Sequence, residues 1–73
     1  MILTNSEMLF LNKAKEMASP FSVRDKAFSN LFGGGLMGMS DAICAYQGLT
    51  KKGVLVIVDR DFDGDPTKAI IKR

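Results

Sequence analysis

Apolar positions along this 73-residue chain change period as the chain advances, and the changes divide it into elements. Between Leu3 and Ala18 they recur every three or four residues: Phe10, Ala14 and Met17, flanked by Leu11 and Ala18, form one stripe. Asn12, Lys13, Lys15 and Glu16 fill the other side, which predicts an amphipathic helix over 3–18. Thr4 and Glu7 spell the T-x-x-E capping box, with Leu3 and Met8 at the positions of a hydrophobic staple. Pro20 stops this helix, because proline lacks the N–H and restricts Ser19 before it.

Phe21-Ser22-Val23 then predicts a short strand. Ser22 and Asp25 form a second cap pattern, and Val23, Ala27, Phe28 and Leu31 line one face of a second helix ending near Phe32. On that reading Arg24, Lys26, Ser29 and Asn30 face out. Gly33-Gly34-Gly35 ends the helix. Leu36 to Met39 reads as either a loop or a first turn weakened by Gly38. A third helix is expected from an N-cap at Ser40 to Lys52, closed by Gly53, with Lys51 and Lys52 complementing its dipole. Its core side is Met39, Ala42, Ile43, Tyr46 and Leu49; Asp41, Cys44, Ala45, Gly48 and Lys51 lie opposite.

Val54 to Val58 is short, apolar throughout and rich in β-branched residues, which predicts a strand. Residues 69–72 can pair with it across an aspartate-rich turn or, from the Asp65-Pro66 start, form a terminal helix. The strand is preferred, since a helix would leave Val54–Val58 with few partners for its backbone groups. The order is helix, strand, helix, helix, strand, turn, strand, an α+β class in one domain spanning 1–73. P-F-S-V-R-D-K-A resembles the strand-into-second-helix entry of winged helix-turn-helix domains. S-D-A-I-C-A-Y-Q-G-L-T-K-K-G followed by V-L-V-I-V resembles their recognition helix leading into the wing hairpin.

That resemblance implies a small, non-catalytic DNA-binding protein, a transcriptional regulator, with helix 40–52 in the major groove and hairpin 54–72 as the wing. Ser40 and Gln47 would touch bases of double-stranded DNA, and Lys51, Lys52, Arg60 and Lys68 would lie at or near phosphate. The segment between the second and third helices is longer than the usual tight turn, and the wing is acidic. The alternative is a protein-interaction module on the same fold, using the acidic wing and the Cys44-Ala45-Gly48 ridge. A homodimer is expected, because that ridge admits a flat partner and both faces of Val54–Val58 want cover.

Composition narrows the chemistry. A net charge of +2 permits nucleic-acid binding without diagnosing it. The chain has no histidine, which removes the usual near-neutral acid–base group and the activator that a lone Cys44 would need as a nucleophile. One cysteine excludes a disulfide framework. No cofactor is expected. No basic-then-apolar leader and no membrane-length apolar run is present, so the expected setting is cytoplasmic.

Two motifs compete with these readings. Asp59, Asp61, Asp63 and Gly64 match D-x-D-x-D-G, the opening of an EF-hand calcium loop, but its twelfth position is Ile70 and a strand precedes it. The same residues resemble the strand end of Toprim domains, where aspartates hold magnesium, without that family's earlier acidic strand. A solvated hairpin turn is the simpler reading. Gly33-Gly34-Gly35-Leu36-Met37-Gly38 spells G-x-G-x-x-G, but a helical pattern precedes it where a dinucleotide site needs a strand.

Overall fold

A computed structural model describes residues 2–72. Among these, α1 (Asn5–Lys15), α2 (Lys26–Asn30) and α3 (Gly35–Lys51) pack with a three-stranded antiparallel sheet of β1 (Phe21–Ser22), β2 (Leu55–Arg60) and β3 (Pro66–Ile71). The sheet order is β1-β3-β2, so the last strand in sequence lies in the middle. The class is α+β, as expected.

The capping box at the start of α1 is complete. Glu7 N–H donates to Thr4 Oγ1 at 3.1 Å and Thr4 N–H to Glu7 Oε1 at 2.8 Å. The helix stops three residues before the expected Ala18. Pro20 cannot donate to the carbonyl of Glu16 and its ring collides with it in a continuing helix, so the chain leaves through tighter turn bonds from Glu16 and Met17. Leu3 packs on the core, whereas Met8, its expected staple partner, is half-exposed.

Ser22 does not cap α2. It lies in β1 opposite Lys68, and Val23 N–H continues the pairing to Thr67 C=O at 3.0 Å. The chain stays extended through Val23, so Asp25 becomes the N-cap and its Oδ1 accepts from Ala27 N–H at 2.9 Å. Ser40 is likewise not a cap. The residue before α3 is Gly34, at φ 76°, which lets the chain reverse and start the helix six residues earlier than the sequence predicts. Ser40 and Asp41 therefore sit inside the helix. At the other end Gly53 closes it as expected: Gly53 N–H reaches Thr50 C=O and Val54 N–H reaches Leu49 C=O, the paired bonds of a Schellman turn.

Residues 66–71 form a strand, the preferred of the two readings, with Leu55 opposite Ile71, Val56 opposite Ile70 and Ile57 opposite Ala69. Bulges follow beyond Ile57, shifting the register towards the turn. The inner face carries Leu55 and Ala69, buried with Phe21 from β1; Ile57 and Ile71 pack beside them. The outer face does not receive the cover its sequence asked for, since Val56 and Val58 are 38% and 47% exposed.

Four aromatic rings from four elements meet at the centre. Phe10 stacks on Phe28 with centroids 4.0 Å apart, and Phe21 and Tyr46 tilt against Phe10 at 6.3 and 6.0 Å. Ala42 and Leu49 complete the buried side of α3. The small-residue ridge is filled from within the chain. Ala45 is buried, and a side chain at Gly48 would meet the carboxylate of Glu7 on α1. Cys44 beside them is exposed.

Glu7 is the one buried acid among the described residues. Its carboxylate accepts from Lys52 Nζ as well as from Thr4 N–H. The Lys52 hydrogen bond first, then the Thr4 backbone, holds its pKa below the ordinary 4.5 against the opposing effect of burial. Because the folded pKa is lowered, this stabilisation is fully present above about pH 4.5 and is lost as pH falls through the folded value. Glu7→Gln is expected to lower the melting temperature at pH 7 and to flatten the loss of stability on acidification below about pH 5. Thermal melts followed by circular dichroism across pH check both. An unchanged acid limb would remove Glu7 from the account.

Candidate nucleic acid interface

Ser40, Gln47 and Lys51 are exposed and fall on one side of α3. Steps of seven and four residues at ~100° each return to within roughly 40° of the same direction. Lys52 lies roughly a third of a turn away from Ser40. It turns to α1, where Glu7 holds it, and is half-buried. The expectation that Lys52 stands beside Lys51 at a phosphate is therefore replaced by a structural ion pair. Lys68 also leaves the group: its neighbour Ala69 faces the core, so Lys68 points from the outer face of the sheet.

Arg60 joins Gln47 and Lys51. The three line one groove between the last turns of α3 and the hairpin, with Tyr46, Thr50 and Pro66 around them. The groove continues past Asp65 and Pro66 towards Val23, Arg24 and Ile43. Arg24, a basic residue that the sequence offers to DNA from the second helix, stands instead in the turn before α2. What brings it here is Asp61, 37 positions away, whose Oδ2 accepts from Arg24 Nη2 at 2.8 Å.

Asp61 organises the whole turn. Its Oδ1 accepts from Asp63 N–H at 3.0 Å and Asp65 N–H at 2.9 Å, while Asp61 N–H donates to Asp65 C=O. Gly64, at φ 87°, completes the reversal, and Arg60 Nη1 donates to its carbonyl at 2.9 Å. The Arg24 hydrogen bond, followed by the Asp65 N–H, lowers the Asp61 pKa; Asp61 in turn raises that of Arg24. Asp59 is occupied separately, accepting from Thr67 Oγ1 at 2.8 Å.

These bonds answer the motif matches physically. A calcium or magnesium loop needs Asp59, Asp61 and Asp63 to converge, but Asp59 is turned to the Thr67 hydroxyl and Asp61 to a guanidinium and two backbone amides. Among the described residues no three His, Cys, Asp or Glu side chains are grouped to hold a metal ion. The G-x-G-x-x-G glycines follow a helix and a turn, with φ of 94°, 76° and 65° at Gly33 to Gly35, so the strand that a dinucleotide loop requires is missing.

Apolar exposure is unevenly placed. Leu36 and Met37 at the start of α3 are 90% and 81% exposed, and Phe62 in the hairpin turn is 99% exposed. No described helix is long and apolar enough to cross a membrane. Comparison with protein-family models, with curated proteins and with solved structures finds no match to this chain.

Proposed function

We propose that this chain is a winged helix-turn-helix domain that binds double-stranded DNA without catalysis, as a small regulator in the cytoplasm. The fold reading is supported by the element order and by the β1-β3-β2 sheet with its hairpin directly after the third helix. The function reading is carried by one observation: Gln47 and Lys51 on α3 meet Arg60 of the hairpin along one groove. A helix inserted in a major groove would put Ser40 and Gln47 towards base edges and leave Lys51 and Arg60 to the flanking phosphates.

Fluorescence anisotropy with mixed-sequence duplexes tests this. Binding at low salt should weaken steeply as salt rises, since each neutralised phosphate releases counterions. The double substitution Lys51→Ala, Arg60→Ala is expected to reduce affinity about tenfold or more on every sequence and to lower the salt slope by roughly two. Absence of any duplex binding at low salt would overturn the reading.

The exposed Leu36, Met37 and Phe62 favour a second reading, in which the same domain docks a protein and the acidic turn excludes DNA. A pull-down that recovers a stoichiometric partner with the wild type, and loses it with Leu36→Ser, Met37→Ser, would favour that reading over the first. The outer face carrying Val56 and Val58 remains open for the expected homodimer.

A further inference from the structure

The groove between α3 and the hairpin has a floor as well as rims. Its two halves enclose about 440 and 360 Å³ and share Tyr46, Gln47, Asp65 and Pro66. Arg24 stands at one end, with Lys51 and Arg60 at the other. Tyr46 is only 8% exposed, its ring against Phe10. Among the described residues its hydroxyl has no hydrogen-bond partner, although the neighbouring Thr50 hydroxyl is used up on the Tyr46 carbonyl. No described side-chain polar atom is both fully buried and unpaired, so this hydroxyl keeps access to solvent, on a residue that lines both halves of the groove.

Its surroundings are mostly cationic. Burial, the largest effect, raises the Tyr46 pKa; Arg24 pulls it down, Asp65 pushes it up, and Arg60 adds the smallest pull downward. The group therefore stays protonated at neutral pH and is a hydrogen-bond donor without an acceptor. Arg24 already grips an anion, the Oδ2 of Asp61, while half-exposed to solvent. An exposed pair of that kind is weak and exchanges partners readily. A backbone phosphate offers the guanidinium two oxygens for the same forked pairing and carries the same single negative charge as the carboxylate it would replace.

Resting on the DNA reading, we propose that the Tyr46 hydroxyl and Arg24 form the seat for one backbone phosphate, and that Asp61 is the internal anion which that phosphate displaces. The acidic turn is then a competitor built into the site. It holds Arg24 in place when no strand is bound and sets how tightly a strand binds. The atoms allow a clean separation of roles, because Asp61 Oδ1 serves the turn and Oδ2 serves Arg24. Asp61→Asn can retain the first set of bonds and lose the second.

The test compares four proteins by duplex anisotropy and thermal melting: wild type, Tyr46→Phe, Asp61→Asn and Asp63→Asn. Tyr46→Phe keeps the ring and should weaken binding about tenfold on all sequences, the loss of one hydrogen bond to a charged group, with little change in melting temperature. Asp63 is exposed and its carboxylate has no partner among the described residues, so Asp63→Asn measures the effect of removing one charge alone. Asp61→Asn should strengthen binding clearly more than Asp63→Asn does. If Tyr46→Phe binds like the wild type, or Asp61→Asn gains no more than the control, the seat is overturned while the DNA reading stands. Should the wild type bind no duplex, inorganic pyrophosphate titrated by NMR decides. A shift at Arg24 that vanishes in Tyr46→Phe keeps the anion seat without DNA; no shift overturns both.

Discussion

Phe10→Ala is expected to remove about half or more of the stability of the fold. Phe10 has no exposure to solvent, and the rings it touches come from β1, α2 and α3. Truncation therefore leaves three elements facing one void instead of trimming the edge of the core. A buried Phe→Ala change costs about 3–5 kcal/mol, of which the unfilled cavity is a large part. A domain of 73 residues has roughly 4–11 kcal/mol in total, at about 0.05–0.15 kcal/mol per residue. The loss is then comparable with the whole stability of the fold. Urea titration followed by far-ultraviolet circular dichroism should show the midpoint falling by half or more, or no folded baseline at all. Phe10→Leu retains more of the volume and should fall between the two. A loss below about 1.5 kcal/mol would show that the Phe10–Phe28 stack is not the centre of the core. Because Tyr46 leans on the same ring, the groove floor depends on it too, and any folded remnant should bind anions less well.

Local signals were legible and distant ones were not. The T-x-x-E box placed the start of α1 correctly, because both bonds form within four residues. Nothing near Glu7 indicated that the same carboxylate would be buried against Gly48 and paired with Lys52, 45 residues away. That pairing also separates Lys51 from Lys52, which look equivalent as a dipeptide until helix rotation gives one to solvent and the other to α1. The Gly33–Gly35 run was read as a helix stop, which it is. It is also a helix start, because positive φ at Gly34 reverses the chain without a polar cap, and Ser40 lost its expected role for that reason. Within the groove, Gln47, Lys51 and Arg60 could be read from helix face and hairpin position. Arg24 was read as a basic residue of the second helix, and its place in the groove was not legible, since only the fold brings the turn after β1 to the hairpin turn. Tyr46 was read as a core residue, which is right for its ring; that the residue also lines the groove depends on where the hairpin lies.

The second large effect falls on Gly38. Glycine within an α-helix is ordinarily a weak point, and Gly→Ala there adds about 1 kcal/mol of stability. At Gly38 the opposite is expected. An added Cβ would run into the carbonyl oxygen of Ser29, with Ser29 C at 3.3 Å and the carbonyl oxygen of Phe32 at 3.4 Å. All three are backbone atoms around the end of α2, so no rotamer change relieves the collision and the two helices must part. Their separation loosens Phe28 and Ala42, both fully buried. Overpacking of this kind costs about 1–3 kcal/mol, and forced helix displacement takes it to the upper end. Set against the propensity gain, Gly38→Ala should destabilise by about 2 kcal/mol, a fall of roughly 8–16 °C in melting temperature for a domain of this size. Gly48→Ala is the informative comparison. Its Cβ would meet only the end of the Glu7 side chain, which can rotate away at the expense of its bonds to Lys52 and Thr4. That substitution should cost less, and its cost should shrink at acid pH where the Glu7 pair is already lost, whereas the Gly38 penalty should be independent of pH. If Gly38→Ala instead raises the melting temperature, α2 and α3 do not approach as closely as their backbones indicate. The position of the α3 start, and with it the placement of Ser40 on the proposed DNA-facing side, would then have to be redrawn.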